Sequence, residues 1–158
     1  MINTGVKKRV LLLDDRIVQR NVGEIESKLE PFAIRLRGRE GFATEAPPAT
    51  DARGFSLEDQ SLASVAKICR ERIEQFQADA LVLDMDWWGD DEYGEKLWNE
   101  MKADGLAMSK DCLIFLSMFV SPERRAAVAR RNHLSPLQVG YKDTSGYDIA
   151  AKWLVEHL

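Results

Sequence analysis

Cysteine and histidine are scarce in this chain, two of each among 158 residues. Cys69 and Cys112 lie far apart in apolar contexts, without the paired spacing of a zinc site. They read as two buried thiols of a protein kept in a reducing compartment. Long hydrophobic runs are missing too, and no segment approaches the roughly 20 apolar residues that cross a bilayer. Near the N-terminus the apolar run "VLLL" (10–13) meets two aspartates at once, which argues against a signal-peptide core. Nor is there a strong excess of one charge. With 22 basic and 26 acidic residues the net charge is -4, which disfavours wholesale binding to nucleic acid or to an anionic membrane. A cytoplasmic location is expected. What is present is ordinary for a globular domain, 45% hydrophobic and 30% charged. One domain spanning 1–158, with a core built without disulfides or structural metal, is expected.

The apolar residues fall into short alternating blocks. Residues 10–13 are apolar on both faces and end on Asp14 and Asp15, the pattern of a buried parallel strand that opens onto a site. Residues 17–29 carry Ile17, Val18, Val22, Ile25 and Leu29 at helical spacing, and Pro31 marks the stop. "FAIRL" (32–36) is expected as a second strand. Residues 37–61 are rich in Gly, Pro, Ala and charge without a sustained period, and read as one long inserted loop. A helix is expected over 62–76, a strand over 80–84, a helix over 94–104, a strand over 112–117 and a helix after Ser121 and Pro122. A short strand (138–141) and a closing helix (146–158) are expected last.

Two-faced strands alternating with helices predict an α/β fold, a parallel sheet covered on both sides. Among right-handed arrangements of five strands, the flavodoxin-like order 2-1-3-4-5 is the commonest doubly wound solution. Its first and third strands flank the switch point beyond which ligands bind, and here both end in aspartate. That edge would collect Asp14, Asp15, Asp84, Ser117 and Lys142. Carboxylates crowded together repel unless a cation joins them, and a hard dication with few protein ligands and several waters suits Mg²⁺. A carboxylate beside it can attack a phosphoryl donor, with the metal, a lysine and a hydroxyl neutralising the phosphoryl oxygens.

Taken in order, "VLLLDD", "ALVLD", "LIFLS" and "GYK" resemble the motifs of receiver domains of two-component response regulators. The resemblance covers nearly the whole chain outside 37–61. It implies that Asp84 accepts phosphate from a histidine kinase or phosphotransfer protein. Asp14, Asp15, Asp84 and the backbone carbonyl of Asp86 would hold Mg²⁺. Ser117 would bond the phosphoryl group and Lys142 would pair with it. Beyond self-phosphorylation from a donor and autodephosphorylation, no enzyme activity is implied. The added charge would switch a surface around strands 4 and 5 for a downstream protein target. The chain departs from that pattern at Met118, Val139 and Asp143, where the family has a small residue, an aromatic and a proline.

Alternatives stay open on sequence alone. Asp86 has the better spacing to Gly94 for an acceptor. The departures suit an unphosphorylated pseudo-receiver that only binds partners. "LVLDMDWW" (81–88) also resembles the nucleophile strand of haloacid-dehalogenase-like phosphatases, with Asp84 as nucleophile and Asp86 as acid–base partner. That family needs a further acidic strand end beyond the lysine, and the residues after Lys142 read as a helix. Trp87 and Trp88 are expected to pack on the core, and Asp90, Asp91 and Glu92 to form a solvated loop that favours the next helix start. Arg124, Arg125, Arg130 and Arg131 are expected to form a solvated or dimer-facing surface rather than a nucleic-acid interface.

Overall fold

A computed structural model describes residues 8–14, 42–45, 53, 55–118 and 120–158. The expected helix over 17–29 and strand over 32–36, together with Asp15, lie outside the described residues. Along the chain come β1 (Lys8–Leu13), β2 (Phe42–Glu45), α1 (Leu62–Phe76), β3 (Ala80–Asp84) and α2 (Tyr93–Ala103). They are followed by β4 (Leu113–Ser117), α3 (Pro122–Arg131), β5 (Val139–Tyr141) and α4 (Thr144–His157). Two 3₁₀ turns, Lys110–Cys112 and Pro136–Gln138, lead into β4 and β5. The fold is α/β with an all-parallel sheet. β1, β3, β4 and β5 lie side by side, Val10 opposite Ala80, Leu81 opposite Leu113 and Phe115 opposite Val139.

One expectation needs correction. β2 lies inside the segment 37–61 that reads as a single loop, and it pairs parallel with β1 from Lys8 opposite Phe42 to Leu11 opposite Glu45. The four residues of this strand are too few to display a period. Pairing to a neighbouring strand, not local pattern, makes "FATE" a strand.

The two-faced strands divide their side chains by parity. Leu11, Leu13, Leu81, Leu83, Leu113, Phe115 and Val139 enter one core with Val65, Cys69 and Ile73 of α1, Leu97 and Met101 of α2 and Val128 of α3. Val10, Leu12, Val82, Ile114 and Leu116 enter the other, covered by Tyr147, Ala150, Ala151 and Leu154 of α4. Each large side chain so buried contributes about 1.5–3 kcal/mol relative to exposure. α1, α3 and α4 start on side-chain caps, whereas Glu92 before α2 makes no capping bond. Ser61 accepts the N–H of Ser64 (3.2 Å), Ser121 that of Arg124 (3.1 Å) and Asp143 that of Gly146 (2.6 Å). Asp143 therefore has a structural reason to follow Lys142. Among the described residues there are no cis peptide bonds, and no helix is long and apolar enough to cross a membrane.

Candidate functional site

All strands of a parallel sheet end at the same edge, so residues remote in sequence converge there. Asp14 follows β1, Asp84 closes β3, Ser117 closes β4 and Lys142 follows β5. Asp14, Asp84 and Ser117 are buried. The Lys142 ammonium bonds to Asp14 Oδ2 and lies 2.8 Å from Asp84 Oδ2. Burial would lower the lysine's pKa, but the charges of Asp84 and then Asp14 outweigh it and raise the pKa above the usual lysine range. Lys142 is therefore a fixed positive charge at neutral pH. Two carboxylates share this one ammonium, so the cluster retains an excess of negative charge.

Asp84 is held on every side. Its Oδ1 accepts the backbone N–H of Asp86 (3.1 Å), and its carbonyl accepts the indole N–H of Trp87 (2.6 Å). Its side chain is 2% exposed. Asp86 does more than its expected backbone role. Its Oδ2 accepts the Ser117 hydroxyl, and its Oδ1 faces Arg124 Nη1 at 3.7 Å. Arg124 also donates to the carbonyl of Asp91, tying the first turn of α3 to the loop after β3. The Asp86 carboxylate thus meets Ser117, which closes the neighbouring strand β4, and Arg124 of α3, contacts that its place in the loop after β3 did not reveal.

The surroundings keep these groups in place. Met85 donates its N–H to Leu116 O (2.8 Å), and Lys142 donates its N–H to Ser117 O (2.9 Å), extending the sheet past the strand ends. Trp87 is fully buried, stacked on Tyr93 (centroids 5.6 Å) and edge-on to Trp88 (5.4 Å). Burial pushes the Tyr93 phenol up to about 12, so it stays neutral. Trp88 and Gly89, at φ 49° and 84°, make a tight turn closed by paired bonds between Trp87 and Asp90. Asp90 then accepts the Glu92 N–H (2.9 Å) and the Lys96 ammonium (3.0 Å), which hold its carboxyl below the usual range. Asp90 thus ties the loop to α2 through Lys96, while Glu92 before the helix makes no side-chain capping bond. At Gly94 a Cβ would lie 2.2 Å from the carbonyl of Asp84, so α2 docks directly against the end of β3.

Three of the four arginines expected on a solvated or dimer-facing surface also make bonds within the chain, while Arg131 keeps 55% of its side chain exposed. Arg124 reaches Asp86. Arg125 donates through Nε to the carbonyls of Pro136 (2.9 Å) and Val139 (2.5 Å). Arg131 grips the buried Glu95 of α2 through Nε and Nη2 (3.0 and 2.8 Å). The reason is that α3 packs between the loop after β3 and the turn before β5, where carbonyls and carboxylates need donors. Sequence reasoning missed Arg124 and Arg131 as site supports. The available signal was their placement at the first and last turns of a helix that follows a strand ending in a hydroxyl.

Of the expected site residues, Asp14, Asp84 and Lys142 come together, and Ser117 and Asp86 form an adjoining pair. Val139 is core, and Met118 is 47% exposed. Among the described residues no group of three His, Cys, Asp or Glu side chains is placed to hold a metal ion. Comparison with known proteins finds no family model that matches this chain and no curated protein whose sequence matches it.

Proposed function

We propose that this chain is a phosphoacceptor receiver domain, a flavodoxin-like unit in which β2 completes the order 2-1-3-4-5 and Asp84 takes the phosphoryl group. The observation that carries this reading is the 2.8 Å approach of Lys142 to Asp84, shared with Asp14, at the carboxyl ends of three different strands. A lone structural salt bridge needs one carboxylate per ammonium. A second buried carboxylate leaves charge that a bound cation can balance.

The donor chemistry fits Mg²⁺, which takes few protein oxygens and keeps its waters. Asp14, Asp15, Asp84 and the Asp86 carbonyl would hold it, and when bound it would supply positive charge to the phosphoryl oxygens. In the transfer, an Asp84 oxygen forms a bond to phosphorus. The phosphorus–nitrogen bond of a phosphohistidine donor breaks, and its electron pair leaves on the imidazole. Lys142 neutralises the acyl phosphate it faces, and the Ser117 hydroxyl, at the end of the neighbouring strand β4, would donate to it. A histidine kinase or phosphotransfer protein would be the donor. The surface around β4, β5, α3 and α4 would carry the change to a downstream protein.

The test is incubation with phosphoramidate and Mg²⁺, read by intact-mass spectrometry and phosphate-affinity electrophoresis. A single added phosphoryl group that requires Mg²⁺ and disappears in Asp84→Asn is expected. An unmodified wild type, or a modification that survives Asp84→Asn, ends this reading.

One observation favours a second reading, an unphosphorylated pseudo-receiver that acts through partner contacts alone. Asp84 is nearly inaccessible, and Asp14, Asp84 and Asp86 are all already met by protein cations. Failure of Mg²⁺, well into the millimolar range, to alter Trp87 fluorescence would support it.

A further inference from the structure

The Ser117 hydroxyl belongs to β4, beside the acceptor strand β3, yet it donates to Asp86 and not to Asp84 among its described bonds. Asp86 sits two residues beyond Asp84 and is wired three ways. Its N–H holds Asp84 Oδ1 at 3.1 Å, one carboxylate oxygen takes the Ser117 proton, and the other faces Arg124 at 3.7 Å. Arg124 is itself anchored on the Asp91 carbonyl and on the first turn of α3. A carboxylate held by a guanidinium is a strong, oriented acceptor. Any phosphoryl oxygen on Asp84 would have to draw the hydroxyl away from it.

We infer that Asp86, steadied by Arg124, is a latch that holds the Ser117 hydroxyl in the unmodified state and so opposes modification of Asp84. This rests on the receiver reading above. Asp86 and Arg124 are positioning residues here, acting only through Ser117. Releasing the latch couples three elements. The hydroxyl turns to the phosphoryl group, Asp86 loses its neutral partner, and the Arg124 contact that fixes the start of α3 changes with it. Movement at the acceptor would thereby reach α3 through one side-chain exchange.

The test compares wild type, Asp86→Ala, Asp86→Asn, Arg124→Met, Ser117→Ala and Asp86→Ala/Ser117→Ala as full chains with subsaturating phosphoramidate and Mg²⁺. The readout is the ratio of modified to unmodified protein by intact mass. Asp86 is partly exposed in a loop, and its backbone bond to Asp84 is retained in every variant, so equal urea midpoints serve as the folding control. Asp86→Ala should raise the ratio about ten-fold, the factor of one hydrogen bond to a charged group. Arg124→Met should move it the same way by less, and Asp86→Asn should lie between wild type and Asp86→Ala. In the Ser117→Ala background the Asp86→Ala gain should vanish. A gain of equal size in both backgrounds would show simple relief of charge repulsion and overturn the latch, as would no gain at all in a modifiable wild type. If no variant is modified, the receiver reading itself has failed and the latch falls with it.

Discussion

Lys142 and Asp14 are 128 residues apart in sequence and directly bonded in the structure, and the same ammonium lies 2.8 Å from Asp84. One side chain thus binds the ends of β1 and β3 to the segment after β5. Its removal has consequences both for folding and for the charge of the site.

Replacing Lys142 by Met leaves two carboxylates buried against each other. A loss of about 3–5 kcal/mol in urea unfolding at pH 7 is expected, the cost of breaking a buried pair and stranding charge. The deficit should shrink as pH is lowered into the carboxylate range, because protonation removes the repulsion in the folded variant. In the wild type the sign is opposite. A lysine whose folded pKa is raised contributes stability that is complete below its unfolded value of about 10.4 and is lost only as pH rises beyond that. The wild type's contribution from Lys142 should therefore be constant from pH 7 to pH 10, which the same unfolding series measures.

Glu95 and Arg131 should respond unequally. Glu95 is buried and accepts from both Arg131 and Asn132, whereas the Arg131 side chain is 55% exposed. Glu95→Ala should cost about 2 kcal/mol, since it removes the charged acceptor that Arg131 and Asn132 share. Arg131→Ala should cost less than about 1 kcal/mol, the worth of a solvent-screened pair. Equal losses in chemical denaturation would show that the pair is not asymmetric in the way its burial implies.

Two glycines, Gly89 in the loop after β3 and Gly94 in the first turn of α2, separate steric from conformational demands. A methyl at Gly94 would meet the Asp84 carbonyl at 2.2 Å and the Met85 Cα at 2.7 Å, and backbone cannot step aside cheaply. Gly94→Ala should cost about 3 kcal/mol and shift the Trp87 emission, because α2 must move off the end of β3. Gly89 has open space around it but φ 84°. Gly89→Ala should cost about 1–2 kcal/mol with the emission unchanged.

Trp87 offers a direct reporter for a cation. Its indole N–H is bonded to the carbonyl of Asp84 at 2.6 Å and the ring is fully buried. If Mg²⁺ binds at Asp14 and Asp84, fluorescence should change saturably at millimolar Mg²⁺ and not with equal ionic strength of NaCl. Asp14→Asn should abolish the response. A response that persists in Asp14→Asn would place the cation elsewhere.

The sequence by itself determined most elements on the C-terminal side. "ALVLD" and "LIFLS" are too apolar for one-sided burial, so they become central strands. Ser61, Ser121 and Asp143 precede helices whose first N–H groups they cap, because short polar side chains satisfy donors that a helix cannot. Asp14, Asp84 and Lys142 were legible as a cluster because parallel strands must end at a common edge.

What tertiary structure alone decided was which polar group faces which. "FATE" became a strand only by pairing with β1, for a four-residue segment has no period to read. Asp86 looked like a loop residue whose backbone mattered. Only the packing of α3 and β4 brings Arg124 and the Ser117 hydroxyl to its carboxylate. Arg131 is solvent-facing, as its sequence suggests, and only the tertiary fold pairs it with the buried Glu95. Apolar patterning is written locally because burial is a property of each residue on its face of a strand or helix. Hydrogen-bond partners depend on ångström-scale separations between elements remote in sequence, and those are fixed only when the helices pack.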